Sequence, residues 1–100
     1  MFFHTVLFEI KPREVLDYRR DSKMWARHAK QAKGFINYFT MKRSDASNQY
    51  ASVYQWRTKK DHERFMQKLH DWLVSQSKAK VKVLGYYQLQ TIDRVRNGSA

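Results

Sequence analysis

Residues 2–10, FFHTVLFEI, place Phe2, His4, Val6, Phe8 and Ile10 on one side of an extended chain and Phe3, Thr5, Leu7 and Glu9 on the other, which predicts a buried strand. Pro12 suits the first turn of a helix, where a missing N–H costs nothing. Val15, Tyr18, Ser22, Trp25, Ala29 and Ala32 then recur at three- and four-residue spacing, one buried helical stripe. Arg20, Lys23, Arg27 and Lys30 share another face, and Gly34 supplies a C-terminal stop. A second strand is predicted from Phe35 to about Lys42, with Phe35, Asn37, Phe39 and Met41 pointing one way and Ile36, Tyr38 and Thr40 the other. The polar run Ser44-Asp45-Ala46-Ser47-Asn48 reads as a turn into a third strand from about Tyr50 to Trp56, with Tyr50, Ser52, Tyr54 and Trp56 on one face.

Thr58, with Asp61 three residues on, forms a capping box that opens a second helix. Its apolar stripe is Phe65, Met66, Leu69, Trp72 and Leu73, with His62 one turn upstream on the same side. Val83 to Ile92 forms the last strand. Residues 1–93 therefore read as a single α+β domain of order β-α-β-β-α-β, and residues 94–100 as a flexible tail.

Two helices cover only one face of a four-stranded sheet, yet these strands carry large apolar side chains on both. Leaving a Phe or Leu exposed forfeits roughly 1.5–3 kcal/mol each. The pattern therefore predicts a homodimer whose second copy covers the outer face.

Composition narrows the chemistry. With no cysteine among 100 residues, disulfides, thiolate metal sites and cysteine nucleophiles are excluded. His4, His28, His62 and His70 show no metal-ligand spacing, and no glycine-rich phosphate loop is present. The opening run is interrupted by His4 and Glu9 and reads as a strand rather than a signal peptide, so a cytoplasmic protein without membrane attachment is expected. The sequon Asn97-Gly98-Ser99 carries no weight without secretion. A formal net charge of +11 suits an anionic ligand, an anionic surface or nucleic acid, or simply a solvated basic surface.

Gly34-Phe35-x-x-Tyr38, the strand Tyr50-Ala51-Ser52-Val53-Tyr54-Gln55-Trp56 and the cap Thr58-Lys59-Lys60-Asp61 together resemble the antibiotic biosynthesis monooxygenase superfamily. The resemblance covers roughly residues 2–92. It implies a ferredoxin-like domain with an antiparallel sheet, paired into a dimeric α+β barrel, with a pocket between helices and sheet. Some members oxygenate polyphenols without metal or flavin, because an electron-rich phenolate can itself reduce oxygen. An oxidoreductase of this kind would need no cofactor and would bind a small aromatic molecule, neutral or anionic.

In such members a Trp at the end of the third strand lines the pocket, and Trp56 matches it. An Asn usually sits four residues earlier, where this chain has Ser52. A Tyr often sits six residues after the Trp, where this chain has His62. The resemblance thus implies Trp56 as wall and indole donor, Ser52 as hydroxyl donor and His62 as general base near neutral pH. Tyr54 and Phe65 would bind substrate beside them.

Two other readings compete. Haem-degrading relatives share an Asn on the first strand, a Trp in the second helix and a His ligand further along. This chain has no Asn on its first strand, and Phe65 and Ser75 fall at the other two positions, with His70 off register. RNA-recognition motifs share the element order, and Tyr50, Ser52 and Tyr54 partly echo their base-stacking strand, although its glycine and preceding basic residue are absent.

Overall fold

The computed structural model describes residues 1–97. Strand β1 spans Phe2–Glu9, and a single 3-10 turn, Pro12–Glu14, leads into helix α1, Val15–Lys30. Strands β2, Phe35–Lys42, and β3, Gln49–Trp56, form a hairpin. Helix α2, Lys59–Gln76, and strand β4, Lys82–Gln90, complete the chain. The sheet order is β2-β3-β1-β4 and every neighbouring pair is antiparallel, the ferredoxin-like arrangement of an α+β fold. The last strand stops two residues short of Ile92, after which Thr91 donates its N–H to the Met1 carbonyl. Residues 94–97 form no helix or strand; the rest of the expected tail, 98–100, lies outside the described residues.

Register decides what each face holds, because residues directly opposite in a ladder project to the same side. Phe2 pairs with Trp56, His4 with Tyr54 and Val6 with Ser52, so the buried sides of β1 and β3 face the helices together. Trp56, Leu73 and Ala29 are fully enclosed and, with Phe2, Tyr54 and Phe65, form the core between sheet and helices.

The alternation predicted for β2 breaks at its start. A bulge between Phe35 and Asn37 places Phe35 opposite Trp56 and Tyr38 opposite Tyr54, so both face the helices, while Phe39 pairs with Val53 on the outer side. Phe35 consequently meets the Trp56 indole edge-on at 5.5 Å, rather than lying on the outer side with Phe39 and Met41. An extra residue in one strand flips every side chain before it.

Helix α2 departs from its predicted stripe at Trp72. That side chain is half exposed and packs edge-on against His28 of α1 instead of entering the core. The cap differs in detail as well. Thr58 Oγ1 accepts from the Asp61 N–H at 3.2 Å, but Asp61 Oδ2 takes the Thr58 hydroxyl proton rather than reaching back to the backbone N–H. The other carboxylate oxygen accepts from Arg64.

The outer face carries Phe3, Thr5 and Leu7 of β1, Ala51, Val53 and Gln55 of β3, Phe39 and Met41 of β2, and Tyr87 and Leu89 of β4. No described element covers it. It is also the face that would stack bases in an RNA-recognition motif. Tyr50, Ser52 and Tyr54 lie on the opposite side, under the helices, so the echo of that motif is misplaced by one residue of strand period.

Candidate active site

A cavity of about 450 Å³ opens between the helix-facing side of the sheet, α1, α2 and the segment leading into β4. All five residues singled out in the sequence line it: Ser52, Tyr54 and Trp56 from β3, and His62 and Phe65 from α2. Their convergence follows from two periodicities. Ser52, Tyr54 and Trp56 alternate onto one face of β3, and the Thr58 cap starts α2 so that His62 and Phe65, three apart, fall on its inner side.

Two groups of polar side chains divide the cavity wall. In the first, Ser52 Oγ lies 2.6 Å from the Tyr18 hydroxyl of α1 and accepts from Tyr38 Oη of β2 at 3.1 Å. Thr40 Oγ1 donates to Tyr38 in turn, so the network runs from the exposed end of β2 into the interior. Burial, opposed by the bond to Ser52, pushes the Tyr18 phenol up to about 12. Burial, with Tyr38 and Tyr18 nearby, likewise holds Tyr54 well above the usual tyrosine range. This wall is therefore polar and uncharged at neutral pH.

The second group centres on His62. Its ring stacks on that of His4, with centroids 4.3 Å apart and planes 29° from parallel. Both residues are about 95 % buried, and each buries Nδ1 without a hydrogen-bond partner. Burial first, then the neighbouring His4 and Lys59, lowers His62 to about 4. Burial and His70 lower His4 as well. Both imidazoles are thus neutral near pH 7, and His62 by itself is a weaker base than an ordinary histidine.

Trp56 completes this group, with its ring centroid 6.0 Å from that of His62 and 5.3 Å from that of Phe65. Its indole Nε1 is buried and unpartnered, a condition worth roughly 1–3 kcal/mol of lost hydrogen bonding. The nitrogen is enclosed by neighbouring atoms. The expected indole donor is present but shielded in this conformation.

Residues 77–81 form a strap over one side of the cavity, to which Ser77, Ala79 and Val81 contribute lining. The strap is tied to α1 and to the 3-10 turn before it: Asp21 accepts from the Lys78 and Ala79 amides, Glu14 from the Lys80 amide, and Trp25 Nε1 donates to Ser77 Oγ.

Sequence reasoning missed His4, Tyr18 and Tyr38 as site residues. The alternation of β1 already placed His4 beside Phe2 and Val6 on the buried face, but its partner sits 58 positions away, beyond any local spacing. Tyr18 showed only as part of an apolar stripe. At the position where haem-degrading relatives carry a ligand, Ser75 is exposed and donates to the Trp72 carbonyl. Among the described residues no group of three or more His, Cys, Asp or Glu is placed to hold a metal ion, and no helix is long and apolar enough to cross a membrane.

No protein-family model matches the chain, and no curated protein sequence matches it. Solved structures do. MupZ from Pseudomonas fluorescens superposes with a TM-score of 0.73 at 9 % identity, over 87 % of this chain and 69 % of MupZ. SnoaB, a cofactor-independent oxygenase from Streptomyces nogalater, gives 0.72 at 11 % identity, over 96 % of this chain and 95 % of SnoaB. A candidate antibiotic biosynthesis monooxygenase from Bordetella bronchiseptica gives 0.70 at 18 % identity, over 91 % of this chain and 96 % of the other. The chain thus has the ferredoxin-like α+β fold of the antibiotic biosynthesis monooxygenases, as its strand-end tryptophan and capped second helix had implied.

Proposed function

We propose that this protein is a cofactor-independent monooxygenase acting on a small aromatic phenol bound between the helices and the sheet, and that it works as a homodimer. The observation that carries this reading is the cavity itself: Phe65, Trp56 and Val6 provide apolar walls, while His62 and the Tyr18–Ser52–Tyr38 hydroxyls provide polar contacts on a fold shared with SnoaB.

The chemistry asks little of the protein. Deprotonation of a hydroxyanthrone-like substrate yields a delocalised anion that passes an electron to dioxygen. Recombination gives a peroxide anion at the ring carbon, which takes back the proton that the substrate lost and becomes the hydroperoxide. Loss of water leaves a ketone, so one oxygen atom enters the product and the other leaves as water. In this scheme His62 accepts the substrate proton. Its low basicity is offset because the anion forms beside it, and opposite charge favours the imidazolium. The Tyr18–Ser52 pair, with one hydroxyl proton left over from its own bond, donates that proton's hydrogen bond to a substrate oxygen, Tyr54 and Phe65 flank the ring, and Trp56 forms the floor.

Incubation of the protein with 1,8-dihydroxyanthrone in air, with chelator present, is the direct test. Formation of the anthraquinone with one dioxygen consumed per product, and its loss in His62→Ala, is expected. A rate no higher than the uncatalysed background would dismiss the reading. Added haem is expected to produce no Soret shift, since Ser75, bonded to the Trp72 carbonyl, stands where the haem-degrading relatives carry their His ligand.

A further inference from the structure

The geometry points to the stacked His4–His62 pair as a single-proton acceptor that loads when an anionic aromatic guest enters the cavity. This deepens the reading above, since it rests on the cavity being a substrate site, and it assigns a role to His4.

Four features support it. The rings overlap at 4.3 Å, so a charge on one lies against the other and a second proton is repelled. Both residues are about 95 % buried on the wall of a cavity that a guest can enter. Each Nδ1 is enclosed without a partner, which leaves Nε2 as the nitrogen through which each ring meets a guest. The groups around the pair supply no countercharge. From β3 it meets Tyr54 and Trp56, and from β4 Tyr86, with His4 centroid distances of 6.5 Å to Tyr54 and 6.3 Å to Tyr86. From α2 it feels His70 and Lys59, both basic. From α1, Tyr18 and Asp21 line the cavity, but neither makes a ring contact with the pair or is among the groups that perturb it.

A buried imidazole pair with basic neighbours and no carboxylate partner stays neutral on its own. The missing partner is a negative charge delivered by the ligand. When it arrives, the pair takes one proton, and the guest is held by an ion pair that did not exist before binding. A neutral aromatic of the same shape gains nothing comparable. The pair therefore selects phenolates, enolates and other aromatic anions. In turnover the same proton is the one lost by the substrate.

The test is calorimetric titration of the intact protein with naphthalene-1-sulfonate, which stays ionised at every pH used, in two buffers of different ionisation enthalpy. Saturable binding at pH 6 with uptake close to one proton per chain is expected, with affinity falling roughly tenfold by pH 8.5. Uptake of no proton, uptake of two, or absence of saturable binding overturns the proposal. The double variant H4Q/H62Q should bind without proton uptake, and uptake persisting in it overturns the assignment to this pair. If that variant does not fold, the ring-proton resonances of His4 and His62 in the unaltered protein decide the matter. Sulfonate should raise their shared titration midpoint, and an unchanged midpoint at saturation overturns the proposal. None of these readouts involves oxygen, so failure of the anthrone assay and failure of the proton count are separate results.

Discussion

The hydroxyl of Tyr18 and Oγ of Ser52 lie 2.6 Å apart, a buried bond that ties α1 to the sheet across 34 residues of sequence. It also fixes where the Ser52 hydroxyl points. Tyr18→Phe removes one partner and leaves Ser52 bonded to Tyr38, so it should lower unfolding stability by about 1 kcal/mol. Ser52→Ala strips the shared partner from both tyrosines and leaves the enclosed Tyr18 hydroxyl to find another, which should cost about 2 kcal/mol. Urea denaturation of the two variants checks the order. Equal losses would mean that the Tyr38–Ser52 bond adds nothing to the Tyr18–Ser52 bond.

Neutral burial of His62 makes stability depend on pH. Its folded value is about 4 and its unfolded value 6.5, so between those limits the unfolded chain binds more protons. Stability is then fully present above pH 6.5 and is lost as pH falls toward 4. From pH 7.5 to 5.5 the loss from His62 should be about 1 kcal/mol, and His4, lowered in the same direction, adds to it. Denaturation at the two pH values, with His62→Gln as control, measures the difference. The variant should show the smaller slope.

The same pair shows where the sequence stops being informative. Strand alternation, the Gly34 stop and the Thr58 cap are local signals, and each lies close to where it was predicted. Trp56 and Ser52 could be placed on one face because they belong to one strand. His62 joined them only through a resemblance. The His4–His62 stack depends on β1 pairing with β3 and on α2 crossing above both, and no periodicity within β1 encodes that crossing. The bulge in β2 is hidden for a similar reason. Phe35, Ile36 and Tyr38 are all partly buried, so the apolar pattern is satisfied in either phase, and Trp56 decides it.

Gly34 carries two constraints that converge on one position. Its φ of +84° lies in the left-handed region, and a Cβ there would collide with the Asp61 carboxylate. Asp61 cannot easily yield, because its carboxylate is engaged by Thr58 and Arg64. Gly34→Ala should therefore destabilise the protein by about 2–3 kcal/mol, more than backbone strain alone would cost. In a double-mutant cycle, Gly34→Ala should cost less in an Asp61→Gly background, which removes every clashing side-chain atom, than in the unaltered protein. An equal cost in the two backgrounds would assign the whole effect to φ.

The outer sheet face gives the last prediction. Phe39, Met41, Tyr87 and Leu89 are 44 %, 54 %, 49 % and 58 % exposed, and Phe3, Leu7 and Val53 continue the same surface. A patch of that make-up has no stabilising partner in one chain, and each large side chain buried against a second copy would contribute roughly 1.5–3 kcal/mol before the cost of association. Leu89 separates folding from assembly. It projects from an edge strand and is more than half exposed in the single chain, so Leu89→Glu should leave the fold intact while placing a charge in the shared interface. Sedimentation at micromolar concentration should show a dimer for the unaltered protein and a monomer for the variant, with matching circular dichroism spectra. A monomeric unaltered protein would sink the prediction. The face would then be covered by a different partner, and the cavity on the other side of the sheet would have to function within a single chain.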